Sequence, residues 1–178
     1  MPAFIRRAAP LAAAVALLTA ATAALHVEAG STAKPAAAPA APAADAKSIE
    51  RGRYLARIAG CNDCHTPGYA QTGGKVDEKL WLTGDSLGWQ GAWGTTYPSN
   101  LRLALAKMTE QEWVRVAKSA QYRPPMPWFA LHDMSEADLR AIYRYVRHLG
   151  PAGEPAPAYL PPGQAAKGPV IAFPGQAH

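Results

Sequence analysis

The 178-residue chain predicts a helical domain, and three segments carry that expectation. Residues 48–60, "SIERGRYLARIAG", place Ile49, Leu55, Ile58 and Ala59 between charges, with Ser48 as the expected cap. Residues 109–120 open on Thr109 with Glu112 three positions on, the pattern of a capping box. Residues 135–149 open on Ser135 with Asp138 at the third helical position. There Leu139, Ile142, Tyr143, Val146 and Leu149 recur at helical spacing and form one apolar face. Gly150 and Pro151 end that helix. The stretch 66–101 is rich in glycine and aromatics and lacks sustained periodicity, so it reads as a long loop.

Taken in order, residues 1–29 have the layout of an export signal. Arg6 and Arg7 form a positive n-region, residues 8–25 an uncharged apolar run, and small residues follow. A retained membrane anchor is the alternative; against it, the run only just reaches a bilayer's thickness and is mostly alanine. Either way the folded part leaves the cytoplasm, so the expected location is periplasmic, soluble or tethered to the inner membrane through residues 8–25. Residues 30–46 are an alanine- and proline-rich spacer, 47–151 the folded domain, and 152–178 a proline- and glycine-rich tail, laid over the domain or free. The formal charge of +5 falls to +3 without residues 1–25, and the charges are dispersed, which excludes nucleic acid as a partner.

Cys61 and Cys64 are the only cysteines. A disulfide across so short a loop restrains little chain entropy. A structural zinc site needs four ligands, and no second cysteine pair is present, while His26, His132, His148 and His178 stand apart. A thioredoxin-type pair calls for flanking strands, and this neighbourhood is not strand-rich. With His65 the pair reads "CNDCH", the C-x-x-C-H attachment pattern for haem. Two thiols at that spacing reach the two vinyl groups of one porphyrin, and the histidine after them is placed to bind the iron.

A second axial ligand is sought among the methionines and histidines. Met108 and Trp113, and again Met134 and Leu139, occupy the two positions of a hydrophobic staple, which accounts for both methionines as packing. His148 lies in a last helical turn, where an imidazolium suits the dipole. His132 precedes a helix start and is the minor alternative as a ligand. Met126 stands in "RPPMPWF", 123–129, where no helix is expected. Pro124, Pro125 and Pro127 fix their φ angles and remove donors, so the loop is stiff before anything binds and has less entropy to lose. Filling a core gap is the plain alternative for Met126; His/Met ligation is among the known haem options and favours it as the distal ligand.

On "GRYLARIAGCNDCHTPG", "PPMPWF" and "MSEADLRAIYRYVRHLGP", residues 47–151 resemble a class I c-type cytochrome. The resemblance implies a small all-α cytochrome c fold whose first and last helices cross around one covalently attached haem c. It also implies that Cys61 and Cys64 are the thioether attachments, His65 the proximal ligand and Met126 the distal one. "YPSNL", 97–101, resembles a stretch at the haem edge. Relatives continue there with Thr-Pro, whereas this chain has Arg102-Leu103, so Asn100 and Trp93 are not assigned to the haem. The expected function is that of a periplasmic single-haem electron carrier, not an enzyme, shuttling one electron between a dehydrogenase and an oxidase or another cytochrome. The alternatives are a dedicated cytochrome subunit of a membrane-associated dehydrogenase complex and a haem-based small-ligand sensor. Lys75, Lys79, Lys107 and Lys118 are candidate steering charges for an acidic partner.

Overall fold

Glycine inside a helix is unfavourable by about 1 kcal/mol relative to alanine, so Gly52 in the middle of the first helix needs a reason. A Cβ there would lie 2.0 Å from the carbonyl oxygen of Ala141 and 2.7 Å from Cβ of Tyr145. The missing side chain lets α1, Ala43–Ile58, close onto α6, Glu136–Leu149. This pairing is the most extensive between elements, and it buries Leu55, Ala56, Leu139, Ile142, Tyr145 and Val146.

The structure, a computed structural model, describes residues 43–174. The export or anchor segment expected over 1–29, and the spacer up to residue 42, lie outside the described residues. α1 begins at Ala43, ahead of the expected cap at Ser48. Alanine is the strongest helix former, and Asp45 in the first turn complements the helix dipole. Ser48 instead accepts from Nη1 of Arg144 at 3.4 Å.

The described residues form six helices, a short 3₁₀ turn at Glu78–Leu80 and three strands. After α2, Cys61–His65, come β1, Gly88–Gly91, and β2, Gly94–Thr96. α3, Leu101–Ala106, is capped by Asn100, whose side chain accepts from the Leu103 N–H at 3.0 Å. α4, Glu110–Ser119, carries the full Thr109–Glu112 capping box. Ser135 caps α6 by accepting from the Asp138 N–H, and the Asp138 carboxylate accepts from Nε of Arg51 at 2.9 Å. Trp113 Nε1–H donates to the Leu139 carbonyl at 2.8 Å and ties α4 to α6.

Two expectations need correction. The all-α prediction describes the frame, yet β1 and β2 form an antiparallel hairpin with Trp89 opposite Thr96, and β3, Val170–Ala172, adds to β1 in parallel. Strands of three or four residues are too short to show alternation in sequence. The stretch 123–129, expected to hold no helix, is non-helical only to Pro127. α5 runs Trp128–Asp133 with Pro127 at its N-cap, a position that needs no N–H. The tail lies over the domain: Leu160 and Thr95 exchange backbone hydrogen bonds at 2.8 and 3.0 Å, and β3 completes the sheet order β2-β1-β3.

Candidate cofactor site

Gly60, with φ of +73°, ends α1 and turns the chain directly into α2. This one-turn helix brings Cys61, Cys64 and His65 together and buries Asn62, His65 and Thr66. The His65 ring is fixed by its Nδ1–H donating to the Ser99 carbonyl at 2.7 Å. A carbonyl can only accept, so the proton sits on Nδ1 and Nε2 carries the free lone pair. Burial pulls the imidazole below its ordinary value of 6.5, with the Ser99 contact opposing, so the ring is neutral at physiological pH. A neutral imidazole oriented through its other nitrogen is the form a metal binds.

The backbone around His65 is equally constrained. Its carbonyl accepts from the Gly84 N–H at 2.8 Å. Leu82 N–H donates to Thr66 Oγ1, and Thr66 Oγ1–H donates to Asn62 Oδ1, each at 2.8 Å. The Leu82 carbonyl in turn accepts from the N–H groups of Leu101 and Arg102 at 3.0 and 3.3 Å, and Asp85 N–H donates to Pro98 at 3.1 Å. Residues 82–85 therefore link the helix bearing His65 to the segment bearing Ser99. Gly84 is the tightest point, with φ of +78° and room for no Cβ, which would sit 2.7 Å from Asn100 N. Leu82 holds a left-handed φ of 60°, strain offset by complete burial of its side chain.

Cys61 and Cys64 are not bridged to each other by a disulfide. Burial pushes the Cys61 thiol up to about 11; burial also raises Cys64, with Asp63 and Asp85 adding to it. Thiols held protonated beside carboxylates are the reverse of the activated thiolate that disulfide exchange requires. Two unbridged thiols and a neutral histidine with its lone pair on Nε2, all on one helical turn, fit the donor set of covalent haem.

Met126 comes from the turn between α4 and α5 and is partly buried against the same core as Cys61. Its N–H donates to the Arg123 carbonyl at 3.3 Å, and its carbonyl accepts from Trp128 N–H at 2.9 Å. Thr96 Oγ1–H donates to the Pro124 carbonyl at 2.7 Å, which hangs this loop from β2. His132 does precede the α6 cap at Ser135 but itself lies in α5, and its Nε2–H donates to the Ala120 carbonyl at 3.0 Å, a bond that joins α5 to the end of α4. Lys118 is not a free steering charge: its Nζ donates to the carbonyls of His132, at 2.8 Å, and of Met134. Asn100, besides capping α3, gives its amide hydrogens to the carbonyls of Ala152 and Glu154 at 2.8 and 3.1 Å. The residue that sequence reasoning missed is Ser99. It acts through a backbone carbonyl, which no side-chain pattern announces, although it lies within the singled-out "YPSNL".

The family model for cytochrome c matches residues 49–150, just over half the chain. The chain belongs to the cytochrome c family. No curated protein and no solved structure matches it. In a cytochrome c carrying Cys61-x-x-Cys64-His65, one covalently attached haem c is implied. The match takes in α2, the methionine loop and α6 and ends at Gly150, so the segment that docks on the hairpin lies beyond what this cytochrome shares with the family model.

Proposed function

We propose that this cytochrome is an exported single-haem electron carrier. Cys61 and Cys64 would hold the porphyrin through thioethers, and His65, through Nε2, and Met126 would bind its iron. The bound haem supplies an iron that cycles between Fe(II) and Fe(III). The observation that carries the reading is the Nδ1–H of His65 on the Ser99 carbonyl, which leaves a lone pair on Nε2 of a histidine that shares one helical turn with two unbridged cysteines. The stiff loop around Met126 supports the rest. A thioether there favours Fe(II), and a filled sixth position keeps small molecules from the metal, so outer-sphere transfer follows and ligand sensing does not. Arg6, Arg7 and the apolar run 8–25 support export to the periplasm, with or without a retained tether. The partners are a dehydrogenase as donor and an oxidase or another cytochrome as acceptor, docking transiently over a small interface.

Two measurements test this. Mass spectrometry of the native protein reports the covalent haem increment and the mature N-terminus together. Visible spectra of the reduced protein with carbon monoxide report the sixth position. Slow or incomplete binding is expected, and rapid, complete binding by the protein as purified defeats the carrier reading.

A further inference from the structure

We propose that the segment after α6 holds the methionine loop in register, with Tyr159 as the positioning residue. This rests on the reading of Met126 as an iron ligand. The segment lies beyond the family match, which ends at residue 150.

Two separate routes run from this segment to the residues just before Met126. In the direct route, the guanidinium of Arg123 lies 3.8 Å from the centroid of the Tyr159 ring. Tyr159 is itself anchored, because its Oη–H donates to the Trp93 carbonyl in the hairpin turn at 2.7 Å. The second route passes through β2. Leu160 and Thr95 exchange both backbone hydrogen bonds, and the next residue, Thr96, donates its hydroxyl to the Pro124 carbonyl at 2.7 Å. The contact with β2 is close enough to select glycine at position 94, where φ is +97° and a Cβ would lie 2.2 Å from the Leu160 carbonyl.

Both routes therefore end on Arg123 and Pro124. Only Pro125 separates Pro124 from Met126, and Pro127 follows it directly, so the φ angles on both sides of the sulfur-bearing residue are already restricted. A loop with few free torsions places its side chain wherever its anchor is placed. The far end of the segment makes that anchor firm: Phe173 N–H donates to the Gln90 carbonyl at 2.7 Å, and its ring packs 5.4 Å from Trp93 and 5.9 Å from Trp89. Loosening Tyr159 lets the loop open locally while the α1–α6 pair and α2 stay folded.

The test uses the full-length, haem-loaded protein. Tyr159→Ala removes the ring under Arg123 and the bond to Trp93, Tyr159→Phe removes the bond alone, and deletion of residues 156–178 removes the whole strap. Carbon monoxide binding to the reduced protein, the reduction potential and the melting temperature are measured for each, alone and combined with Met126→Ala. Tyr159→Ala should speed carbon monoxide binding about tenfold, the factor that losing one cation–π contact and one hydrogen bond implies. Its reduction potential should fall, and Tyr159→Phe should show a smaller share of both effects. In the Met126→Ala background the same change should alter neither quantity, since no sulfur is left to position. Wild-type carbon monoxide rates and potentials in Tyr159→Ala and the deletion, with only the melting temperature lowered, overturn the proposal and leave Met126 as the ligand. A wild-type protein that binds carbon monoxide as fast as Met126→Ala overturns the ligand reading and the strap with it. Should the deletion fail to fold, the two Tyr159 substitutions decide the matter.

Discussion

Arg102 and Gly150 meet at 2.5 Å, the Nε–H of a buried guanidinium donating to the carbonyl just past the last helix. The same side chain donates through Nη1 to the Lys79 carbonyl at 2.7 Å and through Nη2 to the Leu149 carbonyl. Burial lowers this guanidinium below its ordinary value, and its hydrogen-bond partners are carbonyls at the negative end of α6 and in the 3₁₀ turn. The departure from Thr-Pro at 102–103 thus installs a clamp between the Ser99 segment and the end of the helical frame. Arg102→Met should lower the unfolding free energy by about 3 kcal/mol, because three carbonyls lose a charged donor at once. Arg102→Lys should recover little, since one ammonium cannot fork across three acceptors. Urea titration of the haem-loaded variants measures both, and full recovery by lysine would show that charge alone suffices.

Gly52→Ala is expected to be among the most damaging single-methyl additions in the domain. The new carbon would meet a backbone oxygen of Ala141, which cannot rotate away as a side chain can. Separating α1 from α6 should cost about 3 kcal/mol, the upper end for overpacking, against the gain of under 1 kcal/mol that alanine brings to helix propensity. A melting temperature equal to or above that of the parent would contradict the close approach.

The helical frame was legible because caps and apolar faces are local signals. Thr109 with Glu112, Ser135, and the Leu139-to-Leu149 face each act within one or two turns; the structure keeps both caps and buries Leu139, Ile142 and Val146, with Tyr143 and Leu149 partly buried and Tyr145 buried beside them. The motif at 61–65 was legible because its chemistry lies in adjacent residues. What escaped was non-local. β3 forms only because β1 offers an edge far away in sequence, and Phe173 gains meaning only beside Trp89 and Trp93. Short α3 and α5 escaped for a different reason: six residues show little more than one turn of periodicity. Gly52 was visible as a residue and silent as a contact, since the atom it avoids belongs to α6.

Met126→Ala should keep the protein coloured, because the thioethers and His65 are untouched, while lowering the reduction potential and opening the iron to carbon monoxide. The fold should survive the substitution, since Met126 is only partly buried and its loop is held by Thr96 and Trp128 through backbone atoms. Voltammetry and the reduced spectrum read the two effects separately. An unchanged potential would assign Met126 to packing. Cys61→Ala with Cys64→Ala should by contrast lose covalent haem and most of the helical signal, as a domain this small relies on its cofactor to complete the core.

Glu110 joins α4 to α6 through Arg144, whose Nε lies 2.9 Å from Oε2, and through Arg140, whose Nη1 lies 3.2 Å from Oε1. The hydrogen bond from Arg144 is the largest influence holding this carboxyl below its ordinary 4.5, with burial opposing and Arg140 assisting. A carboxyl depressed in the folded state stabilises it above the unfolded value, and that contribution disappears as pH falls through the folded value. The cluster is partly exposed, so its worth at neutral pH is about 1 kcal/mol. Glu110→Gln should therefore melt slightly below the parent at about pH 7, and the gap should close once the pH drops below about 4.5 and the parent's carboxyl takes up its proton. Thermal melts of both haem-loaded proteins across that range provide the check. A gap of unchanged size across the whole acid range would mean that glutamine disturbs packing there and that charge pairing is not its source.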